Sequence, residues 1–195
     1  MPVNVCIARC DDYSADSVAA AFDRVLEPLG GIDWVQPGMT VAIKTNLVSR
    51  MSPDTAAVTH PTLLAELTSR LTARGARVIV GDSPGGPYTA AWVHSVYNGT
   101  LMEAAVKAGG EVNQDFGTEE VRFPEGVKAK SFTYTSWLSK ADAIIDFAKL
   151  KTHGMAGMTC AVKNFFGTIP GTRKPEMHYM YPNTADFCSM LVDLA

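Results

Sequence analysis

The sequence predicts an α/β domain of three layers, in which a mostly parallel sheet has helices on both faces and a small antiparallel hairpin beside it. Two observations predict this class. Short β-rich runs alternate along the chain with segments of helical periodicity, which is typical of parallel sheets. In addition, 195 residues suffice for one domain, since a chain near this size buries roughly 70% of its unfolded surface.

The N-terminal half supplies three predicted strands and two predicted helices. The strands are the apolar runs at residues 3–8, 38–43 and 77–80. The first helix, residues 14–29, has Ser14 or Asp16 as its N-terminal cap and ends at a glycine pair. The second helix, residues 61–74, begins with Pro61 in its first turn and ends at Gly75.

The C-terminal half continues the alternation. Residues 101–108 are predicted as a helix because they have helical periodicity and end at two glycines. Residues 121–123 and 127–132 flank a Pro-Glu-Gly turn and are predicted as an antiparallel pair. Residues 136–140 are predicted as a short helix, and residues 143–147 as a buried strand.

The last segment, residues 184–195, has the apolar spacing of an amphipathic helix and stops in the middle of that pattern. We therefore expect residues 1–195 to form a single α/β domain that is an N-terminal fragment of a longer protein.

Composition excludes several classes of function. The net charge is −3, so the basic residues are a local feature, and nucleic acid is not an expected partner. No apolar run approaches the roughly 20 residues that span a bilayer. The N-terminus lacks the pattern of a signal peptide, and we expect a cytoplasmic protein without a membrane partner. The four cysteines form no Cys-x-x-Cys pair and supply no complete metal or cluster ligand set.

Polar clusters follow three of the predicted strands. Lys44 and Asn46 follow the second strand, and Asp82 and Ser83 follow the third. The last cluster, which contains His153, follows the strand at residues 143–147. Because the carboxyl ends of parallel strands share one edge of the sheet, we expect these side chains to converge on a ligand site.

The third cluster has the strongest charge. Lys149, Lys151 and His153 precede a predicted helix that starts near Ala156 and carries Lys163. A helix start beside several lysines is typical of an anion site, so we expect a small carboxylate- or phosphate-bearing ligand there. In that helix, Met155, Met158, Val162 and Phe165 recur at helical spacing and are expected in the core.

Roles for individual side chains follow from their chemistry. The substrate would be bound by the lysines together with Asn46, Ser83 and Arg173. Arg173 lies in a basic segment, residues 171–181, that could close over a ligand. His153 and Asp82 are the candidate proton-transfer groups. The histidines are also weak candidates for a metal site: His60, His153 and His178.

Together these segments resemble the family known as domain of unknown function 362, whose members are often joined to iron–sulfur clusters. The resemblance rests on five motifs: Lys44-Thr-Asn-Leu-Val48, Thr59-His60-Pro61, Gly81-Asp-Ser-Pro-Gly-Gly86, Lys149-Leu-Lys-Thr-His153 and Thr159-Cys-Ala-Val-Lys-Asn-Phe-Phe-Gly167. It implies further α/β structure beyond this chain and, in many members, a ferredoxin-like domain. A 4Fe–4S cluster is therefore expected in the remainder of the parent protein.

Three functions remain open at this stage. The first is the anion-binding domain of a cytoplasmic, iron–sulfur-associated redox protein with an electron-transfer domain or protein as partner. The second is a non-catalytic module that binds a ligand or partner. The third is a nickel- or zinc-dependent enzyme distantly like lactate racemase, which would require the histidines to converge.

Overall fold

A computed structural model of the protein describes residues 4–100 and 102–195. In chain order, its strands are β1 (Thr40–Lys44), β2 (Arg77–Gly81), β3 (Glu111–Val112), β4 (Thr118–Arg122), β5 (Ser131–Thr135), β6 (Ala143–Asp146), β7 (Lys151–His153) and β8 (Gly157–Thr159). Its helices are α1 (Ala15–Leu26), α2 (Pro61–Ala73), α3 (Ala90–Gly99), α4 (Glu103–Lys107), α5 (Ala161–Asn164), α6 (Lys174–Met180) and α7 (Thr184–Leu194).

The centre of the fold is a four-stranded parallel sheet in the order β3-β2-β1-β6. The predicted strands at residues 38–43, 77–80 and 143–147 are confirmed and are neighbours in this sheet. Their register pairs Lys44 with Gly81 on one side and with Asp146 on the other. The polar residues that follow β1 and β2 are thereby held at one edge.

One face of the sheet packs against helices. Val41 and Ile43 of β1 and Val78 and Val80 of β2 are buried in a core that leucines of α2 and apolar residues of α3 complete. Burial of each such side chain contributes about 1.5–3 kcal/mol to the free energy of unfolding. Packing on this face therefore stabilises the sheet edge that holds the polar cluster.

The other face packs against the second half of the chain. Ala42 of β1 contacts Trp137 and Leu138, both buried. The C-terminal helix α7 lies on the same side, because Ile144 of β6 and Leu194 of α7 line one groove. The predicted α/β class, with a parallel sheet between two packed layers and an antiparallel hairpin (β4 and β5), is confirmed.

Two short elements are not formed as the sequence predicts. Residues 4–8 are not a strand, and Val3 lies outside the described residues. Val5 and Ile7 are 81% and 91% exposed, and within the described part of the chain this apolar run pairs with no strand. Residues 136–140 form a turn rather than a helix. So short a segment gains too few hydrogen bonds to offset helix nucleation, and burial of Trp137 sets its shape instead.

The helix predicted near Ala156 is also wrong. Residues 151–159 form the antiparallel hairpin β7–β8, and the short helix α5 begins only at Ala161. Gly157, with a φ of 71°, permits the tight turn that starts β8. Met158 and Val162 are 57% and 46% exposed, so their helical spacing does not mark a core face.

The longer predicted helices are formed, whereas the hairpin strands lie at Thr118–Arg122 and Ser131–Thr135, and β3, α3 and α6 were not predicted. The helices at residues 14–29 and 61–74 are confirmed, with Ser14 and His60 as their N-terminal caps. α7 is confirmed and buries Phe187, Met190 and Leu191. Of the helix at residues 101–108, the structure shows α4; Leu101 lies outside the described residues. Among the helices that the structure describes, none has the length and apolarity to cross a membrane.

Candidate functional site

A pocket of about 450 Å³ lies beyond the carboxyl ends of β1 and β2, at the edge where open parallel sheets bind their ligands. Six residues that the sequence suggests for a site line it: Asn46, Asp82, Ser83, Lys151, His153 and Lys163. Lys44, fully buried, lies beneath the pocket floor. The expected convergence of Lys44, Asp82 and His153 on one edge of the sheet is therefore observed.

The floor of the pocket contains a buried ion pair. Lys44 is 0% exposed and Asp82 is 3% exposed, and 2.6 Å separates Lys44 Nζ from Asp82 Oδ1. The second carboxylate oxygen of Asp82 accepts a hydrogen bond from the Leu47 backbone N–H at 2.8 Å. Because both oxygens of Asp82 are engaged, the geometry favours a structural role for this residue over the proton-transfer role suggested by the sequence.

Gly167, in the 3₁₀ turn Phe165–Thr168, covers this ion pair. A Cβ atom at residue 167 would collide with the carboxylate of Asp82 and the amine of Lys44. In addition, its carbonyl oxygen accepts a hydrogen bond from the Ser83 N–H at 3.0 Å. Glycine is therefore required here by close approach to a charged pair, and this turn closes the pocket floor.

We expect Gly167→Ala to lower the free energy of unfolding by about 1–3 kcal/mol, because the added methyl group must displace a buried ion pair. Urea denaturation followed by circular dichroism measures this effect. Gly154→Ala is the matched control, since a Cβ at that position meets nothing within 4 Å. Equal stability of the two variants would contradict the close packing of residue 167.

A series of side-chain hydrogen bonds connects Lys151, which lines the pocket, to Lys44 beneath its floor. Lys151 Nζ donates to the side-chain oxygen of Asn46, whose amide donates to the Asn164 oxygen at 3.0 Å. Asn164 in turn donates to the Asp146 carboxylate and to the Lys44 carbonyl oxygen. Burial raises the pKa of Asp146, while the Asn164 hydrogen bond and the charge of Lys44 lower it. This chain fixes the orientation of both asparagines and places the Lys151 amine at the pocket.

Three lysine amines face this pocket, and their pKa values are all lowered. The pKa of Lys151 and that of Lys163 fall to about 8, and that of Lys174 falls to about 7. Burial is the largest cause in each case, and the charges of neighbouring lysines act in the same direction. A bound anion would relieve this repulsion.

Lys174 is the functional candidate that the sequence reasoning missed. Arg173 was predicted in its place, but Arg173 lies outside the pocket, is half exposed and forms an ion pair with Glu176. Lys174 begins α6 and donates from Nζ to the Ser83 carbonyl oxygen. Arg173 and Lys174 are neighbours in the same basic segment, so the sequence alone does not tell which of the two side chains enters the pocket.

Lys149 and His60 are also outside the pocket. Lys149 Nζ donates to the hydroxyl of Tyr13 at 3.2 Å, and the Tyr13 ring stacks on His60 with 3.6 Å between ring centres. His60 Nδ1 accepts from the Thr62 N–H and caps α2. Thus the expected convergence of Lys149 with Lys151 and Lys163 is wrong, because Lys149 contacts Tyr13 outside the pocket that the other two lysines line.

His153 is held in one tautomer by the β7–β8 turn. Its Nδ1 accepts from the backbone N–H groups of Met155 and Ala156, at 3.3 and 3.0 Å. In a neutral imidazole the other nitrogen must then carry the proton, so Nε2 is a hydrogen-bond donor. Burial lowers the pKa of His153, and the charges of Lys163, His178 and Lys151 lower it further. Near neutral pH this side chain can therefore donate a hydrogen bond without being charged.

Two buried hydroxyl groups complete the site. Ser83 Oγ and Thr159 Oγ1 line the pocket, are almost fully buried, and have no hydrogen-bond partner within the part of the chain that the structure describes. A buried hydroxyl without a partner costs about 1–3 kcal/mol. A ligand with acceptor oxygens would satisfy both groups.

The candidate metal ligands do not form a site. His178 stacks on Phe187, with 4.6 Å between ring centres, and His60 caps α2. Within residues 4–100 and 102–195, no three His, Cys, Asp or Glu residues are grouped so that they could hold a metal ion. The four free cysteines therefore do not fit a 4Fe–4S cluster in this chain.

Comparison with known proteins gives a family match. The model of the family described as "Domain of unknown function (DUF362)" matches residues 41–195, most of the chain. The protein named "Thylakoid-associated protein sll1697", from Synechocystis sp., is 32% identical over 204 residues that include all of this chain. The chain spans 60% of the length of that relative. No solved structure matches.

Proposed function

We propose that this chain, which belongs to the DUF362 family, is the anion-binding domain of an iron–sulfur-associated redox protein that acts on a small carboxylate- or phosphate-bearing substrate. One observation carries the anion-binding part. Three lysine amines face one pocket, and among its described lining residues the one acid, Asp82, is already paired with Lys44. The positive charge of Lys151, Lys163 and Lys174 is thus available to a ligand.

The rest of the pocket suits the same ligand. The hydroxyls of Ser83 and Thr159 can donate to its oxygens, and His153 can donate from Nε2. Because His153 is fixed by two backbone groups with Nε2 as the donor, we assign it to polarise a substrate oxygen through a hydrogen bond. Asp82 then keeps Lys44 in place beneath the site.

The redox setting rests on the family resemblance. Since the described cysteines do not converge, we place the 4Fe–4S cluster and the electron partner in the remainder of the parent protein. We retain the cytoplasm as the proposed location; the name of the relative associates that protein with thylakoids, which makes a membrane surface the alternative. Visible absorption and EPR spectra of the full-length protein, with its localisation in fractionated cells, test both points.

A non-catalytic binding module is the second candidate, because the engagement of both Asp82 oxygens removes one of the two expected proton-transfer groups. The nickel or zinc enzyme is less favoured, since His60 lies apart from the pocket that His153 lines.

We expect Lys151→Met to weaken sulfate binding by about tenfold or more, since a hydrogen bond to a charged group contributes about 1.5–3 kcal/mol. Titration calorimetry at low salt, with sulfate and then phosphate and malonate, measures the effect. Lys107→Met is the matched control, because Lys107 is an exposed lysine of α4 that pairs with Glu103.

Binding should also weaken as chloride is raised, because partly exposed charges are screened within about 10 Å at 0.1 M. Equal effects of the two substitutions, or no binding by the parent protein, would contradict the anion site.

A further inference from the structure

Lys163 differs from the other pocket lysines in what its amine contacts. The Lys151 amine donates to a side-chain amide and a backbone carbonyl, and the Lys174 amine donates to a backbone carbonyl. Lys163 Nζ instead lies 4.5 Å from the ring centre of Phe166 and 6.0 Å from that of Phe187. Within the described chain, no hydrogen bond or ion pair engages it.

The titratable groups around Lys163 come from every part of the chain that encloses the pocket. They are Lys44, Asp82, Lys151, His153, Lys174, His178 and Cys188. The pKa of Lys163 is lowered to about 8; burial is the largest cause, the charge of Lys44 acts in the same direction, and Asp82 and Cys188 act in the opposite direction. Roughly a tenth of this amine is therefore unprotonated at pH 7, whereas an ordinary lysine with a pKa near 10.4 is almost fully charged.

A pocket amine without a hydrogen-bond acceptor, beside two lysines whose amines are held in place, is the arrangement of a lysine that attacks carbonyl carbon. We propose that Lys163 forms an imine with the carbonyl group of a small oxo acid, whose carboxylate Lys151 and Lys174 bind. This inference rests on the proposed anion-binding function and extends it by naming the reacting residue and the class of substrate.

The step balances with the groups present. Lys163 Nζ attacks the carbonyl carbon, a carbon–nitrogen double bond replaces the carbon–oxygen double bond, and the two amine hydrogens leave with the oxygen as one molecule of water. His153, which can donate from Nε2, assists departure of that oxygen. Since no electrons enter or leave, the step requires neither oxidant nor reductant.

Reductive trapping tests the proposal. The protein is incubated with pyruvate and cyanoborohydride, which converts an imine to a stable amine, and the adduct is located by peptide mass spectrometry. We expect a single adduct on the peptide that contains Lys163, and less labelling when sulfate competes. Lys163→Arg should lose the adduct, because its guanidinium lacks a nucleophilic amine, and its sulfate affinity is measured alongside. Lys107→Met should retain both.

The outcomes separate this inference from the proposed function. Sulfate binding by the parent protein without an adduct at Lys163, or adducts spread evenly over exposed lysines, overturns the imine and leaves the anion site intact. Absence of both sulfate binding and adduct overturns the two proposals together. Mapping the parent protein gives the answer directly even if Lys163→Arg does not fold.

Discussion

Replacing Lys44 by methionine is expected to lower the free energy of unfolding by about 3–5 kcal/mol, because it leaves a buried carboxylate without its counter-charge. Lys44 is 0% exposed and its ammonium lies 2.6 Å from Asp82 Oδ1. The loss is large beside a typical total stability of about 5–15 kcal/mol. Urea denaturation of Lys44→Met and of Asp82→Asn measures it.

The control is an exposed ion pair of the same sheet. Arg77 and Glu111 pair at 2.8 Å on neighbouring strands, with side chains 58% and 53% exposed. Arg77→Met should cost no more than about 1 kcal/mol, since surface pairs contribute little. The double variant Lys44→Met/Asp82→Leu should be more stable than Lys44→Met alone, because it leaves no unpaired buried charge. A cost for Lys44→Met as small as that of Arg77→Met would contradict the buried pair.

Sulfate affinity is expected to fall by at least about 100-fold between about pH 6 and about pH 9.5, provided that the anion binds the charged lysines. In the free protein, Lys174 has a pKa of about 7, and Lys151 and Lys163 have pKa values of about 8. As pH rises through these values the amines lose their protons. The anion then meets fewer positive charges, or the lysines must take up protons again when it binds. Sulfate keeps its charge over this range, and the change therefore reports on the protein.

Calorimetry in buffers that differ in ionisation enthalpy measures the proton uptake directly. We expect uptake on binding near pH 8 and little near pH 6, where the amines are already charged. Lys107→Met should show the same profile as the parent protein, because Lys107 is exposed and outside the pocket. A flat pH profile without proton uptake would show that these lysines do not hold the anion.

Much of the fold and part of the site could be predicted from sequence because they depend on local patterns. Apolar runs of β-rich residues predicted β1, β2 and β6, and helix caps predicted α1 and α2. Parallel strands end at a common edge, so the position of Lys44 and Asp82 at strand ends was enough to bring them together.

Other predictions failed where distant packing decides the local conformation. Residues 4–8 have the composition of a strand and no neighbouring strand to pair with. The segment after β7 has helical spacing, but Gly157 turns it into a hairpin instead. A pattern specifies what a segment can form, and the availability of a partner specifies what it does form.

By itself, the sequence determined the α/β class, the sheet edge that carries the polar residues, and a basic pocket with His153 beside it. Only the tertiary structure decided which basic side chains face that pocket. Lys174 lines it and Arg173 does not; Lys151 and Lys163 line it, whereas Lys149 contacts Tyr13 instead. The physical reason is distance along the chain. Lys174 contacts Ser83 across 91 residues and Lys151 contacts Asn46 across 105, so the packing of whole elements determines where each amine points.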